Sequence, residues 1–190
     1  MGKIEPGTTE APTGEAPGAP GVSLNWCPGA KQMVGTSLGT ARVWFTLGRG
    51  IVNEVYYPRV DIPQIRDLGF IVADGAGFWV EIKQLDDCTV ECAEPGVAAI
   101  RITHRHPRFT FVQRIVPEPS RDVLLIDIEL QGDPELRPYV LLAPHLGGTG
   151  HENRAAVAQQ HGRRMLWAEQ GPFGLALAAV DERQQDAFGA

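Results

Sequence analysis

Thr40-Ala41-Arg42-Val43-Trp44-Phe45-Thr46-Leu47-Gly48-Arg49-Gly50-Ile51-Val52-Asn53-Glu54-Val55-Tyr56-Tyr57-Pro58-Arg59 is the stretch on which the fold turns. Arg42–Leu47 and Ile51–Tyr57 are runs rich in β-branched and aromatic residues, the types that fit a pleated, half-buried surface. Gly48-Arg49-Gly50 between them supplies the backbone freedom of a tight reversal. The stretch therefore reads as strand, Gly turn, strand. Pro58 and Pro63 then stiffen the loop that follows, and proline-held loops position side chains at low entropic cost.

Outward from this hairpin the same grammar repeats. Leu124, Ile126, Ile128 and Leu130 alternate with Leu125, Asp127, Glu129 and Gln131, a period of two with one wet face. Phe78, Val80 and Ile82 alternate with Trp79, Glu81 and Lys83. Phe109, Phe111 and Ile115 fall opposite Thr110, Val112 and Arg114. Further strands are expected over Asp67–Ala73, Val97–His104, Tyr139–Ala143, Arg163–Ala168 and Leu175–Val180. Turn signals separate these runs: Asp74-Gly75-Ala76-Gly77, Glu94-Pro95-Gly96, Pro117-Glu118-Pro119 and Gly132-Asp133-Pro134. A helix is expected only around His151–Gln160. Regular short strands with such punctuation predict an all-β chain, an antiparallel sandwich or barrel.

Residues 1–21 hold Pro, Gly, Thr, Glu and Ala, cannot bury apolar surface, and read as an extended or disordered leader. The folded domain is expected over 22–190, with Trp26 its first large anchor. A net charge of −6 gives no electrostatic footprint for nucleic acid or anionic lipid. No apolar run reaches bilayer length, and Ile4-Glu5-Pro6-Gly7-Thr8 offers no signal-peptide core, so a cytoplasmic protein is the expectation unless an export signal was trimmed. Cys27, Cys88 and Cys92 make neither a disulfide framework nor a zinc set, and are expected as reduced thiols with one or two of them buried.

Chemistry-bearing residues concentrate beside the hairpin. Trp44, Phe45, Tyr56 and Tyr57 form an aromatic patch whose neighbours are Asn53, Glu54 and Arg59 and not lysines, which suits a neutral polar ligand. Tyr56, Tyr57, Arg59 and Asp61 offer stacking surface with donors and acceptors, as a sugar ring requires. The competing structural reading packs one tyrosine in the core and pairs Arg59 with Asp61 or Asp67. His104-x-His106 places two imidazoles on one strand face, but no third ligand follows, and a solvated strand end accounts for them. His145-Leu146-Gly147-Gly148-Thr149-Gly150-His151 lacks the Lys-Ser/Thr of a phosphate loop and reads as a flexible connection. No metal or other cofactor is implied. Glu182-Arg183-Gln184-Gln185-Asp186 reads as a solvated end.

The stretch from residue 40 to 59 resembles the opening strands of the N-terminal domain of bacterial glucodextranases and glucoamylases, inverting glycoside hydrolases of the glucoamylase family. The likeness begins at Ala19-Pro20-Gly21, continues through Asp61-Ile62-Pro63-Gln64-Ile65-Arg66-Asp67-Leu68, and resumes at Tyr139-Val140-Leu141-Leu142-Ala143-Pro144-His145-Leu146. It implies a two-sheet antiparallel super-sandwich, incomplete at its C-terminal side, that packs on an (α/α)6 barrel carrying the catalytic acid and base. The partner implied is an α-glucan, starch-like or dextran-like, met through that barrel.

Inverting hydrolysis needs two carboxyl groups roughly 6.5–9.5 Å apart, one of them protonated. The resemblance assigns that role to nothing in this chain, so no catalytic residue is expected here, Glu54, Asp61 and Asp67 included. Tyr56, Tyr57, Arg59 and Asp61 are instead expected to face the barrel near its sugar pocket. The alternatives are a free-standing carbohydrate-binding module, which would need an exposed aromatic platform, and a truncated inactive product, which would expose strand edges and self-pair.

Overall fold

The structure is a computed structural model and describes residues 29–181. The leader, Val22, Trp26, Cys27 and the charged string from Glu182 to Asp186 lie outside the described residues. Thirteen strands and two single-turn 3-10 segments make up the regular structure of the described residues. They fall into two compact units, one within Asn25–Gly148 and one running on from Thr149.

The larger unit is a two-sheet antiparallel sandwich. Its first sheet holds β1 (Met33–Thr36), β2 (Trp44–Gly48), β3 (Ile51–Tyr56), β4 (Pro63–Ala73) and β10 (Arg137–Pro144) in the order β1-β2-β3-β4-β10, with the short β5 (Trp79–Glu81) also paired to β4. The second sheet is the meander β6 (Cys88–Cys92), β7 (Ile100–His106), β8 (Phe109–Pro117) and β9 (Leu124–Gly132). Along β8 every odd residue from Phe109 to Pro117 is buried and every even one is half-buried, the pattern of a strand with one face on a core. Phe109 and Phe111 meet Ile51, Phe70 and Val72 of the facing sheet, with Ile82 and Leu136 closing the cluster. Phe70 and Phe111 lie tilted at 53° with ring centroids 5.1 Å apart, the offset that the positive edge and negative face of aromatic rings favour.

The Gly turn forms as expected. Arg49 and Gly50 take positive φ values of 52° and 67° between the paired residues Gly48 and Ile51, the two-residue reversal whose twist matches that of the strands. The Gly50 carbonyl points into the sandwich. It accepts a hydrogen bond from His104 Nε2 at 2.9 Å and another from Gln113 Nε2 at 3.2 Å. His104 and Gln113 are both fully buried. The histidine is thus an internal staple between the sheets and not a solvated strand end. His106, half-buried on the same strand face, stacks on Phe109 with centroids 4.9 Å apart. Cys88 Sγ lies 3.8 Å from His104 Nε2 and is half-buried, whereas Cys92 is exposed. Burial raises the Cys88 thiol, chiefly by desolvation and then by the nearby Asp87 charge, so it stays protonated.

This staple is expected to make the sandwich acid-sensitive at mild pH. Burial pushes His104 below its ordinary value of 6.5, only partly opposed by its bond to Gly50. Donation from Nε2 also leaves Nδ1 facing no hydrogen-bond partner among the described residues, so a proton there would be buried without an acceptor. Above pH 6.5 neither folded nor unfolded histidine is charged. As pH falls through 6.5 the unfolded chain takes a proton that the folded chain resists, and stability drops. Burial shifts His145 in the same direction. The urea midpoint should fall between pH 7 and pH 5, before carboxylates titrate. His104→Gln, which keeps an N–H for the Gly50 carbonyl, should flatten that fall; an unchanged slope would remove His104 from the account.

The smaller unit is the meander β11 (Arg154–Gln160), β12 (Arg163–Gln170) and β13 (Phe173–Leu177). Here the sequence expectation is corrected. The alanines of Arg154–Gln160 favour a helix, yet all seven residues pair with Arg163–Glu169 across another two-residue turn, His161 and Gly162 at φ 50° and 78°. Cross-strand pairing has overridden helix propensity. Other bounds shift as well. The run from Phe78 to Lys83 is strand only over Trp79–Glu81, because Ile82–Gln84 turns into a 3-10 segment with Ile82 fully buried. The run from Val97 becomes strand at Ile100, and that from Leu175 ends at Leu177. No helix among the described residues is long and apolar enough to cross a membrane.

Candidate functional site

Tyr56 stands at the end of β3, and its direction follows from the hairpin register. Trp44 pairs with Tyr56 and Thr46 with Glu54, so these four side chains share one face of the first sheet. The Tyr56 hydroxyl donates to Glu54 Oε2 at 2.7 Å, and Thr46 Oγ1 donates to the same oxygen at 3.4 Å. Lys31 Nζ makes an ion pair with it at 2.9 Å. Burial raises the Glu54 carboxyl, but the bonds from Tyr56, Lys31 and Thr46 and the Lys31 charge outweigh it and hold it below its ordinary range. Glu54 is therefore an ionised acceptor that fixes the Tyr56 ring.

Tyr57 belongs to a different group. Its hydroxyl accepts a bond from Arg42 Nη2 at 2.9 Å, and the Arg42 guanidinium lies 5.1 Å from its ring centroid. Arg42 is held by Asp122, through its backbone N–H at 2.6 Å and its guanidinium at 3.1 Å. Those bonds, the backbone one first, pull the Asp122 carboxyl down against a smaller opposing effect of burial.

Beyond Tyr57 the loop closes on itself. The Tyr57–Pro58 peptide is cis, the Ile62 N–H donates to the Arg59 carbonyl, and the Tyr57 N–H donates to the Ile62 carbonyl, each at 3.1 Å. Arg59 and Asp61 are exposed and grip each other through two bonds of 3.0 and 2.7 Å, which draws the Asp61 carboxyl down. The internal Arg59–Asp61 pairing foreseen by the structural reading is present. Asp67 is paired with its neighbour Arg66 at 3.1 Å.

The four sequence candidates thus lie on one continuous stretch, from the end of β3 into the following loop, but in three groups: Tyr56 with Glu54, Tyr57 with Arg42 and Asp122, and Arg59 with Asp61. Gln64, buried at the start of β4, ties the loop to the second stretch that carried the resemblance. Its Nε2 donates to the Tyr57 carbonyl at 2.6 Å, its Oε1 accepts from the Gly147 N–H at 3.1 Å, and its own carbonyl accepts from the His145 N–H at 2.9 Å. The Gly-rich segment after His145 is consequently an ordered turn at this point, with His145 and Leu146 buried. Sequence reasoning missed Lys31, Arg42, Gln64 and Asp122. The hairpin register could have revealed Glu54 and Thr46 as partners; Asp122, 80 residues from Arg42, leaves no local sign.

Glu54 and Asp61 are both held ionised, whereas a glycosidic general acid must be kept protonated by a raised pKa. Among the described residues, no group of three or more His, Cys, Asp or Glu is placed to hold a metal ion. What the loop holds is two half-buried tyrosine rings and an exposed Arg59–Asp61 pair, each tied to a neighbour within the sandwich.

The sequence profile of the family described as glucodextranase, domain N matches residues 16–190. The chain belongs to that family. This domain N chain is 28% identical over 167 residues to a glucoamylase from Clostridium sp. (strain G0005), across 84% of its own length and 24% of that protein's. It superposes on the crystal structure of a bacterial glucoamylase complexed with acarbose with a TM-score of 0.80 at 26% identity, over 85% of this chain and 25% of that one. It therefore spans about a quarter of the length of the relatives it matches, and the all-β sandwich is common to both structures.

Proposed function

We infer that this chain is the non-catalytic β-sandwich of an exo-acting, inverting α-glucan hydrolase of the glucoamylase or glucodextranase type, working against an (α/α)6 barrel that carries the acid and base. The observation that supports this reading most is the superposition of 85% of this chain on one quarter of a bacterial glucoamylase. The electrostatics agree, since Glu54 and Asp61 are ionised acceptors and not proton donors. In this reading the loop from Tyr56 to Asp61 faces the barrel and lends a contact near its sugar pocket, with Glu54 and Gln64 keeping the loop in place.

The test has two parts. The purified chain should release no glucose from maltoheptaose or dextran; release above a heat-killed control would overturn the non-catalytic role. The chain should next be joined to the remainder of the Clostridium glucoamylase in place of that enzyme's matching segment. There Tyr56→Ala and Tyr57→Ala should each raise KM for maltoheptaose several-fold while Tyr57→Phe leaves it near the parent value. Glucose release unchanged in both alanine variants would remove the loop from the substrate path.

A further inference from the structure

The outer face of the first sheet carries aromatic surface that neither the core nor the Tyr56 loop uses. Where β5, β4 and β10 run side by side, Trp79 pairs with Ala73 and Ala73 with Arg137; one step along, Glu81 pairs with Ile71 and Ile71 with Tyr139. Directly paired residues share a face, so Trp79, Ala73, Arg137, Glu81, Ile71 and Tyr139 point the same way. The intervening row, Val80, Val72 and Pro138, points the other way, and Val72 is in the core. Trp79 is 67% exposed and Tyr139 50%. Two strand spacings and one two-residue step set their Cα atoms roughly 12 Å apart, with the small side chain of Ala73 and the edge of Ile71 between them.

Such an arrangement sets two exposed rings diagonally across one face of the sheet. Its polar groups already have partners: Lys83 forms an ion pair with Glu81 at 2.9 Å, and Arg137 Nη1 donates to the Pro134 and Leu136 carbonyls at 2.6 and 2.8 Å. The face thus suits a neutral ligand, and it offers no cluster of free cations to a phosphate or polyanion. Its size argues against a second protein copy. With aromatic side chains of about 150–250 Å² each, 67% and 50% exposure leaves at most roughly 300 Å² of ring surface, well under half of the about 800 Å² each partner gives to a stable protein interface. The apolar faces of sugar rings stack on aromatic planes while their hydroxyls reach polar groups at the rim, here Glu81 and Lys83.

We propose that Trp79 and Tyr139 form a second, non-catalytic binding platform for a neutral α-glucan chain on the outer face of the β5–β4–β10 sheet. The substrate class rests on the proposed function; the site does not, because it needs no barrel. Affinity electrophoresis of the purified chain in gels holding soluble starch or dextran tests it. The chain should be retarded by one or both α-glucans and not by the β-glucan laminarin. Trp79→Ala and Tyr139→Ala should each weaken binding at least tenfold, while Tyr139→Phe keeps it, with circular dichroism showing each variant folded. No retardation, or retardation that survives both alanine substitutions, overturns the platform and leaves the glucose-release test of the proposed function untouched. A concentration-dependent dimer that Trp79→Ala converts to monomer also overturns it, in favour of a self-association face.

Discussion

Replacing Gly50 by alanine is expected to destabilise the sandwich by about 3 kcal/mol or more, well beyond what the same change costs at Gly75. Both glycines have left-handed backbone, φ 67° and 72°, so each alanine meets the same penalty of about 1–2 kcal/mol. Their surroundings differ. A Cβ at Gly75 meets nothing within 4 Å, whereas at Gly50 it would lie 2.5 Å from His104 Cε1 and 2.6 Å from Nε2, and against Cys88 Sγ as well. His104 is fully buried and is held by its bond to the Gly50 carbonyl. The collision must shift the turn or break the bonds to the Gly50 carbonyl, adding about 1–3 kcal/mol through overpacking and unmet polar groups. Urea unfolding of the two variants checks this. Equal losses would show that the His104 contact does not constrain the turn.

Phe111→Ala is expected to cost about 3–5 kcal/mol, the usual range for removing a buried phenylalanine and leaving a cavity. Phe111 is fully buried near the start of β8, where it meets Phe70 across the sandwich. A double-mutant cycle with Phe70→Ala should give a coupling of about 1 kcal/mol, since the tilted ring pair contributes beyond its area. Additive losses would mean that the two sheets close on other contacts. A loss below about 1 kcal/mol for Phe111→Ala alone would contradict the shared core.

Strand order along the chain was readable because the core is written with a period of two. Phe109, Phe111 and Ile115 could face only one way, and Gly48-Arg49-Gly50 could only reverse the chain. The strand over Arg154–Gln160 was not readable, since alanine carries no directional preference and its pairing with Arg163–Glu169 lies outside its own window. The same blindness hid the role of His104. With no third ligand near and Pro107 following His106 at once, it read as a solvated strand end, and only the fold places it under the Gly50 carbonyl. At the loop, Arg59 and Asp61 found each other over two residues, which a sequence shows. Tyr57 depends on Arg42, Asp122 and Gln64, which converge only when the sandwich closes. Trp79 looked like the wet half of an alternating strand, and it is; that an exposed tryptophan faces Tyr139 across β4 is a property of sheet order.

Strands β4 and β10 pair along almost their whole length, yet the entire second sheet lies between them in the chain. That interval sets a sequence of events during synthesis. The hairpins from β6 to β9 are local and can form early, while β4, eleven residues long, waits with an open edge until β10 emerges. Non-local pairing of this kind slows folding, and an unpaired edge is a template for another chain. A nascent chain halted after β9 would be the aggregation-prone species, and arrival of β10 would be the step that seals the sheet.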